Sequence, residues 1–150
     1  MTAPVKCSAH RAVRFYGRRA NEWRAKMGAP ALRLPAERLT GCPRYLAHVY
    51  RQRARIARKA YGLWFTALYE KWRCIHEHEG AWNANTGNGY YGGLQMTTWF
   101  QQTYGPEFWR RWGTANNWPV WAQLRAAERA YQSDGDYGQW GTAPRCGLPT

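Results

Sequence analysis

Apolar residues recur at helical spacing over residues 9–27, where Tyr16, Ala20, Trp23 and Met27 fall at i, i+4, i+7 and i+11 and predict a first helix. Ser8 stands where it can cap that helix, and Gly28 with Pro30 ends it. The stretch APALRLPAERLTGCP (29–43) has no strong period and is punctuated by proline, which predicts a connector where a domain joint could fall. From Pro43 onward, Leu46, Val49, Tyr50, Ile56, Ala57, Ala60, Tyr61, Trp64, Leu68, Trp72 and Ile75 keep one helical rhythm. That pattern predicts a single long helix ending near Glu79, with Gly80 as its stop.

Beyond Gly80 the pattern changes. NANTGNGYYGG (83–93) is made of turn-forming residues with tyrosines among them, and it leaves room for one short β-hairpin within 84–95. Helical segments are expected again at 97–104, 106–112 and 118–132. The last of these carries Trp121, Leu124, Ala127 or Glu128, and Tyr131 on one side. SDGDYGQWGTAPRCGLPT, from residue 133 on, reads as an irregular tail. The fold class that follows is mainly α.

Composition sharpens this picture in three ways. At 150 residues the chain fits one domain, or one small domain with an extension, and its ten tryptophans and ten tyrosines can fill a core or line a groove for sugar rings or bases. Charge is unevenly spread: residues 1–73 hold 17 Lys or Arg against Glu22, Glu37 and Glu70, whereas residues 74–150 hold 5 against 6 acids. A basic front half implies an anionic partner such as nucleic acid, an anionic wall polymer, a membrane surface or an acidic protein, a virion protein among them, unless it is only the wet face of amphipathic helices. Cys7, Cys42, Cys74 and Cys146 allow three pairings and include no C-x-x-C pair of the zinc type. Cys74 and His78 share an i,i+4 spacing that a metal could use, but the expectation is disulfides, no metal and no cofactor. Disulfides place the mature protein outside a reducing cytosol. No run has membrane-spanning length, and the N-terminus lacks a signal-peptide core, so release by host lysis or carriage in a virion is one expected route out, and a misplaced start codon is the other explanation.

Candidate chemistry concentrates in CIHEHEG (74–80). A carboxylate in the last turn of a helix meets the negative end of the dipole, which disfavours its charged form by roughly 0.3–1 kcal/mol. Burial among aromatic residues acts in the same sense. A group so placed suits general-acid work near neutral pH. His76 and His78 fall on different helix faces, so HEHE is not the H-E-x-x-H zinc pattern.

The segment WNANTGNGYYGGLQM (82–96) resembles the signature of the resuscitation-promoting-factor catalytic domains, small peptidoglycan-cleaving members of the lysozyme superfamily. Glu79, Trp82, Asn83 and Gly93-Leu94-Gln95-Met96 are also similar to the Glu…Asn…Gly-Leu-Met-Gln pattern of lysozyme-like lytic transglycosylases. Thr98-Trp99 and YGQWGTAPRC (137–146) extend the likeness, which spans residues 70–150 or so and leaves the basic half unexplained.

The resemblance implies a lysozyme-like domain over 61–150 behind a basic helical extension, 1–60. It also implies cleavage of the β-1,4 bond between N-acetylmuramic acid and N-acetylglucosamine of wall peptidoglycan, by one catalytic glutamate. Substrate contacts would come from Trp82, Asn83, Tyr90, Gln95 and Thr98, and a disulfide would join Cys74 to Cys146, leaving Cys7 and Cys42 for each other. The register of the acid stays open. The resuscitation-factor spacing selects Glu77 and the wider lysozyme-like spacing selects Glu79, which is favoured because Gly80 ends the helix directly after it. The two lie about 200° apart around the helix, so they cannot share a groove. The competing reading is a virion or wall-associated binding protein that keeps a lysozyme-like scaffold and grips nucleic acid or protein with its basic helices.

Overall fold

The computed structural model describes residues 8–35 and 42–150. Cys7, one half of the expected Cys7–Cys42 pair, lies outside the described residues. The chain divides into two compact units between Trp64 and Phe65.

The first unit contains α1 (Ala9–Met27) and the front of α2 (Arg44–Glu79). Ser8 occupies the N-cap position of α1 but makes no side-chain cap bond, contrary to expectation. Its backbone is already helical at φ −67° and ψ −16°, whereas a capping residue holds extended angles that let its oxygen reach back to the free N–H groups. Gly28 closes the other end at φ +76°, its N–H bonding Ala25 O while Ala29 N–H bonds Arg24 O, as a left-handed C-cap requires.

Small residues form the contact between these helical segments. Ala9, Val13, Ala47 and Tyr50 make one buried cluster, and Ala20, Ala54 and Ala57 make another. Tyr16, Trp23 and Met27 of the predicted stripe are only half-buried, flanking this seam. A Cβ on Gly17 would run into Leu34 and crowd the Tyr50 ring, so glycine is what lets the backbone come this close. Ile56 departs from the predicted stripe and is 67% exposed, because the buried line on α2 runs through Tyr50, Ala54 and Ala57 instead. Residues 29–35 of the connector are tied down: the Asn21 side-chain amide both donates to Leu32 O and accepts from Leu32 N–H, and Tyr50 Oη donates to Arg33 O.

The second unit takes the remainder of α2 and adds a two-stranded antiparallel sheet, β1 (Tyr90–Tyr91) with β2 (Met96–Thr97). Three helices follow, α3 (Thr98–Tyr104), α4 (Pro106–Trp112) and α5 (Val120–Asp134), with 3₁₀ turns at Ala115–Asn117 and Ala143–Cys146. The fold is mainly α, as the sequence predicts. The hairpin forms later than expected, pairing Tyr90 with Thr97 and Tyr91 with Met96, and a lone bridge joins Asn85 to Tyr91.

The core of this unit is aromatic. Trp72 packs edge-on against Trp140 and Tyr137, with ring centroids 4.7 and 5.1 Å apart, and Phe100 meets Trp140 at 5.4 Å. Its indole N–H donates to Glu128, which also pairs with Lys71 at 2.8 Å. The Cys74–Cys146 disulfide is present and ties the end of α2 to the closing segment across 72 residues.

Candidate active site

α2 ends at Glu79, and the chain leaves it at Gly80, whose N–H still bonds His76 O. Glu77 on the same turn is exposed, whereas Glu79 is half-buried. The Thr142 hydroxyl donates to Glu79 Oε1 at 2.6 Å, so one carboxylate oxygen is fixed by the closing segment. The disulfide holds that segment in place four residues further on, at Cys146.

Beside the helix end lies Gln95. A Cβ placed on Gly80 would sit 3.6 Å from Gln95 Nε2, so this amide stands next to the backbone that carries Glu79. Gln95 has φ +47°, the one described non-glycine residue in the left-handed region, and its Nε2 donates to Gly92 O. Such a backbone is uncommon outside glycine and costs on the order of 1 kcal/mol, so the surrounding turn must hold it.

A buried glutamine on α5 does much of that holding. Gln123 Oε1 accepts from Gly93 N–H, while its Nε2 donates to Trp82 O and Trp118 O. One amide thereby fastens the loop after Glu79 and the turn that leads to Gln95 onto the same helix. Its approach leaves no room for a Cβ on Gly92, which also sits at φ +76°. Gly93 is equally tight against Trp82 and His76. Trp140 adds a further tie, its indole N–H donating to Leu94 O.

The other candidate residues divide into two kinds. Trp82 is half-buried, stacked on His76 at 4.0 Å, with His76 Nδ1–H donating to Gly93 O; it forms a wall of the loop. Asn83, Tyr90 and Thr98 are exposed. Tyr90 is 47% exposed, and its strand partner is Thr97, the residue before Thr98. Trp99 is 61% exposed next to it. The geometry brings Glu79, Gly80, Gln95 and Thr142 together and leaves Tyr90, Thr98 and Trp99 as open surface on the adjoining hairpin and helix start.

Asp134 ends α5, and Asp136 sits in the bend that follows it. Asp136 Oδ1 accepts from Gly138 N–H. The Gln139 hydrogen bond holds Asp134 below the ordinary aspartate range against an opposing desolvation, with Ser133 and Tyr104 adding to it. Cys74, His78 and Cys146 lie close enough to suggest a metal site, but both sulfurs are consumed by the disulfide, and His78 Nδ1–H is spent on Cys74 O.

Thr142 and Gln123 escape a sequence reading. Thr142 meets its partner across 63 residues and has no periodic signal. Gln123 does leave a trace, as a polar residue on the same helix face as Ala126, Ala127 and Ala130.

The family model of the transglycosylase-like domain matches residues 67–143, which takes in the end of α2, the site loop, both strands and all three later helices. No curated protein and no solved structure matches the chain.

Proposed function

The chain belongs to the transglycosylase-like domain family, and from that premise we propose that it cuts the glycan strands of peptidoglycan at the β-1,4 bond following N-acetylmuramic acid, with Glu79 as the single acid. The observation that carries this reading is the Thr142 hydrogen bond to Glu79 Oε1 at a half-buried helix end. With Oε1 engaged, Oε2 is the oxygen that bears the transferable proton.

The reaction runs in two proton movements. Glu79 gives its proton to the bridging oxygen as the bond from the muramic C1 to that oxygen breaks, and the electron pair leaves with the oxygen as a 4-hydroxyl. The carboxylate then takes the proton of the substrate's own 6-hydroxyl while that oxygen bonds to C1. This closes a 1,6-anhydro ring and restores the acid, with no water consumed. A single carboxylate suffices because it works first as acid and then as base; a hydrolase of the two-carboxylate kind needs a second. Gln95, Tyr90 and Thr98 would hold the sugars along the hairpin side, and residues 1–60 are an extension outside this chemistry.

Mass spectrometry of purified sacculi digested with the protein tests the proposal. The expected products end in 1,6-anhydro-muramic residues. Reducing muramic ends, heavier by one water, would overturn the internal transfer, and an undigested wall would overturn the enzymatic reading.

A further inference from the structure

The first unit has a feature that glycan cleavage does not use. A groove of about 490 Å³ between α1 and the front of α2 is lined by Phe15, Tyr16, Arg19, Arg51, Arg55 and Arg58 among others. A second concavity of about 400 Å³ shares Phe15 and Arg19 with it and continues along α1 past Arg11, Arg14 and Arg18. The spacing explains the alignment: 51, 55 and 58 fall at i, i+4 and i+7, and 11, 14 and 18 at i, i+3 and i+7, so each helix presents a row of guanidiniums on one face.

Acid is scarce among the described residues of this unit. The described residues of the unit carry 13 Lys or Arg and a single carboxylate, Glu22, which is engaged by Arg19 at 2.9 Å. Several rings in and around the groove are occupied by cations: Arg51 lies 5.3 Å from the Tyr16 ring centroid, Lys26 4.3 Å from that of Trp23, and Arg53 5.1 Å from that of Tyr50. A ring so placed orients the cation. Phe15, 58% exposed, is the open aromatic of the groove.

We propose that this arginine-lined groove binds the phosphodiester backbone of an anionic polyol-phosphate polymer carried on the cell wall. The choice of a wall polymer rests on the peptidoglycan reading above; the choice of a repeated phosphate rests on the two rows of guanidiniums. Guanidinium forks suit phosphate oxygens, and a track of them along two helices suits a chain with repeated phosphates better than a single anion.

Co-sedimentation of the full-length protein with sacculi, before and after acid removal of their phosphodiester polymer, tests the proposal at several ionic strengths. Replacing Arg51, Arg55 and Arg58 together by Gln should lower wall binding at least tenfold and flatten its salt dependence, while cleavage of a soluble glycan fragment stays unchanged. Because Arg51 touches Tyr16, the pair Arg55→Gln and Arg58→Gln, both exposed and both keeping a helix-forming residue, should give an intermediate loss without disturbing the fold. Stripped sacculi should bind the parent protein as weakly as intact ones bind the triple variant. The proposal is overturned if stripped walls bind fully, or if Arg110→Gln with Arg111→Gln in the other unit weakens binding equally. It is also overturned if the groove arginines matter more for single-stranded DNA than for the polymer. A protein that binds through these arginines but cuts nothing would sink the enzymatic reading and leave this one standing.

Discussion

The two units solve the problem of packing helices in opposite ways. In Met1–Trp64 the contact is a seam of alanines, one valine, one glycine and one tyrosine, and the long side chains are turned outward as arginines. In Phe65–Thr150 the core is built of tryptophans, phenylalanines and tyrosines, pinned by two fully buried glutamines and a disulfide. A seam of small residues fixes little beyond how closely two helices approach. Gln123 and Gln101, by contrast, each bond main-chain groups of separate segments, with Gln101 linking Met96 O to Ala115 N–H. In the second unit these bonds help to hold the left-handed turn at Gln95 beside Glu79.

The contrast can be broken most severely at the disulfide. Cys74→Ala with Cys146→Ala opens a link across 72 residues, and the chain-entropy description puts the loss at about 4 kcal/mol. Denaturant unfolding should register it in the second unit. Gln123→Leu comes next: it strands Gly93 N–H, Trp82 O and Trp118 O, and at roughly 1 kcal/mol for each lost bond the cost is about 3 kcal/mol. Hydrogen exchange at Gly93 should quicken in that variant; unchanged protection would show the turn to be held by something else. The matching change in the first unit, Tyr50→Phe, removes a single bond to Arg33 O and should cost only about 1 kcal/mol in thermal unfolding.

Acid separates the units more gently. Partial desolvation pushes Glu107 upward, but the hydrogen bond and charge of Arg129 outweigh it and hold the carboxyl below the ordinary glutamate range. A depressed folded value means stability that is present above the unfolded value of about 4.3 and lost as pH falls through the folded one. The second unit should therefore loosen below that pH, followed by near-UV circular dichroism of its tryptophans. The first, whose single described carboxylate is the exposed Glu22, should respond less.

Much of the fold is legible because punctuation residues mark it. Gly28 ends α1 where the pattern says it should, and Gly105-Pro106 and Gly113 bracket α4 at its expected limits. α5 starts two residues later than its apolar rhythm suggests, because Trp118 turns back to bond Gly113 O and Pro119 takes the N-cap. Strands of two residues are too short to write an alternating pattern, which is why the hairpin is misplaced toward Asn85. The site is legible only where it is local. Glu79 with Gly80 and the run to Gln95 lie within 17 residues, but Thr142 and Gln123 reach them from later parts of the chain that no local spacing reveals.

The central claim is that Glu79, and not Glu77, delivers the proton. A zymogram on purified cell walls with Glu79→Gln and Glu77→Gln, each checked for native circular dichroism, tests it most directly. Glu79→Gln should lose cleavage by at least about a hundredfold, the scale of a missing general acid, while Glu77→Gln keeps most of it. Clearing by Glu79→Gln at the parent rate, with loss in Glu77→Gln, would contradict the account.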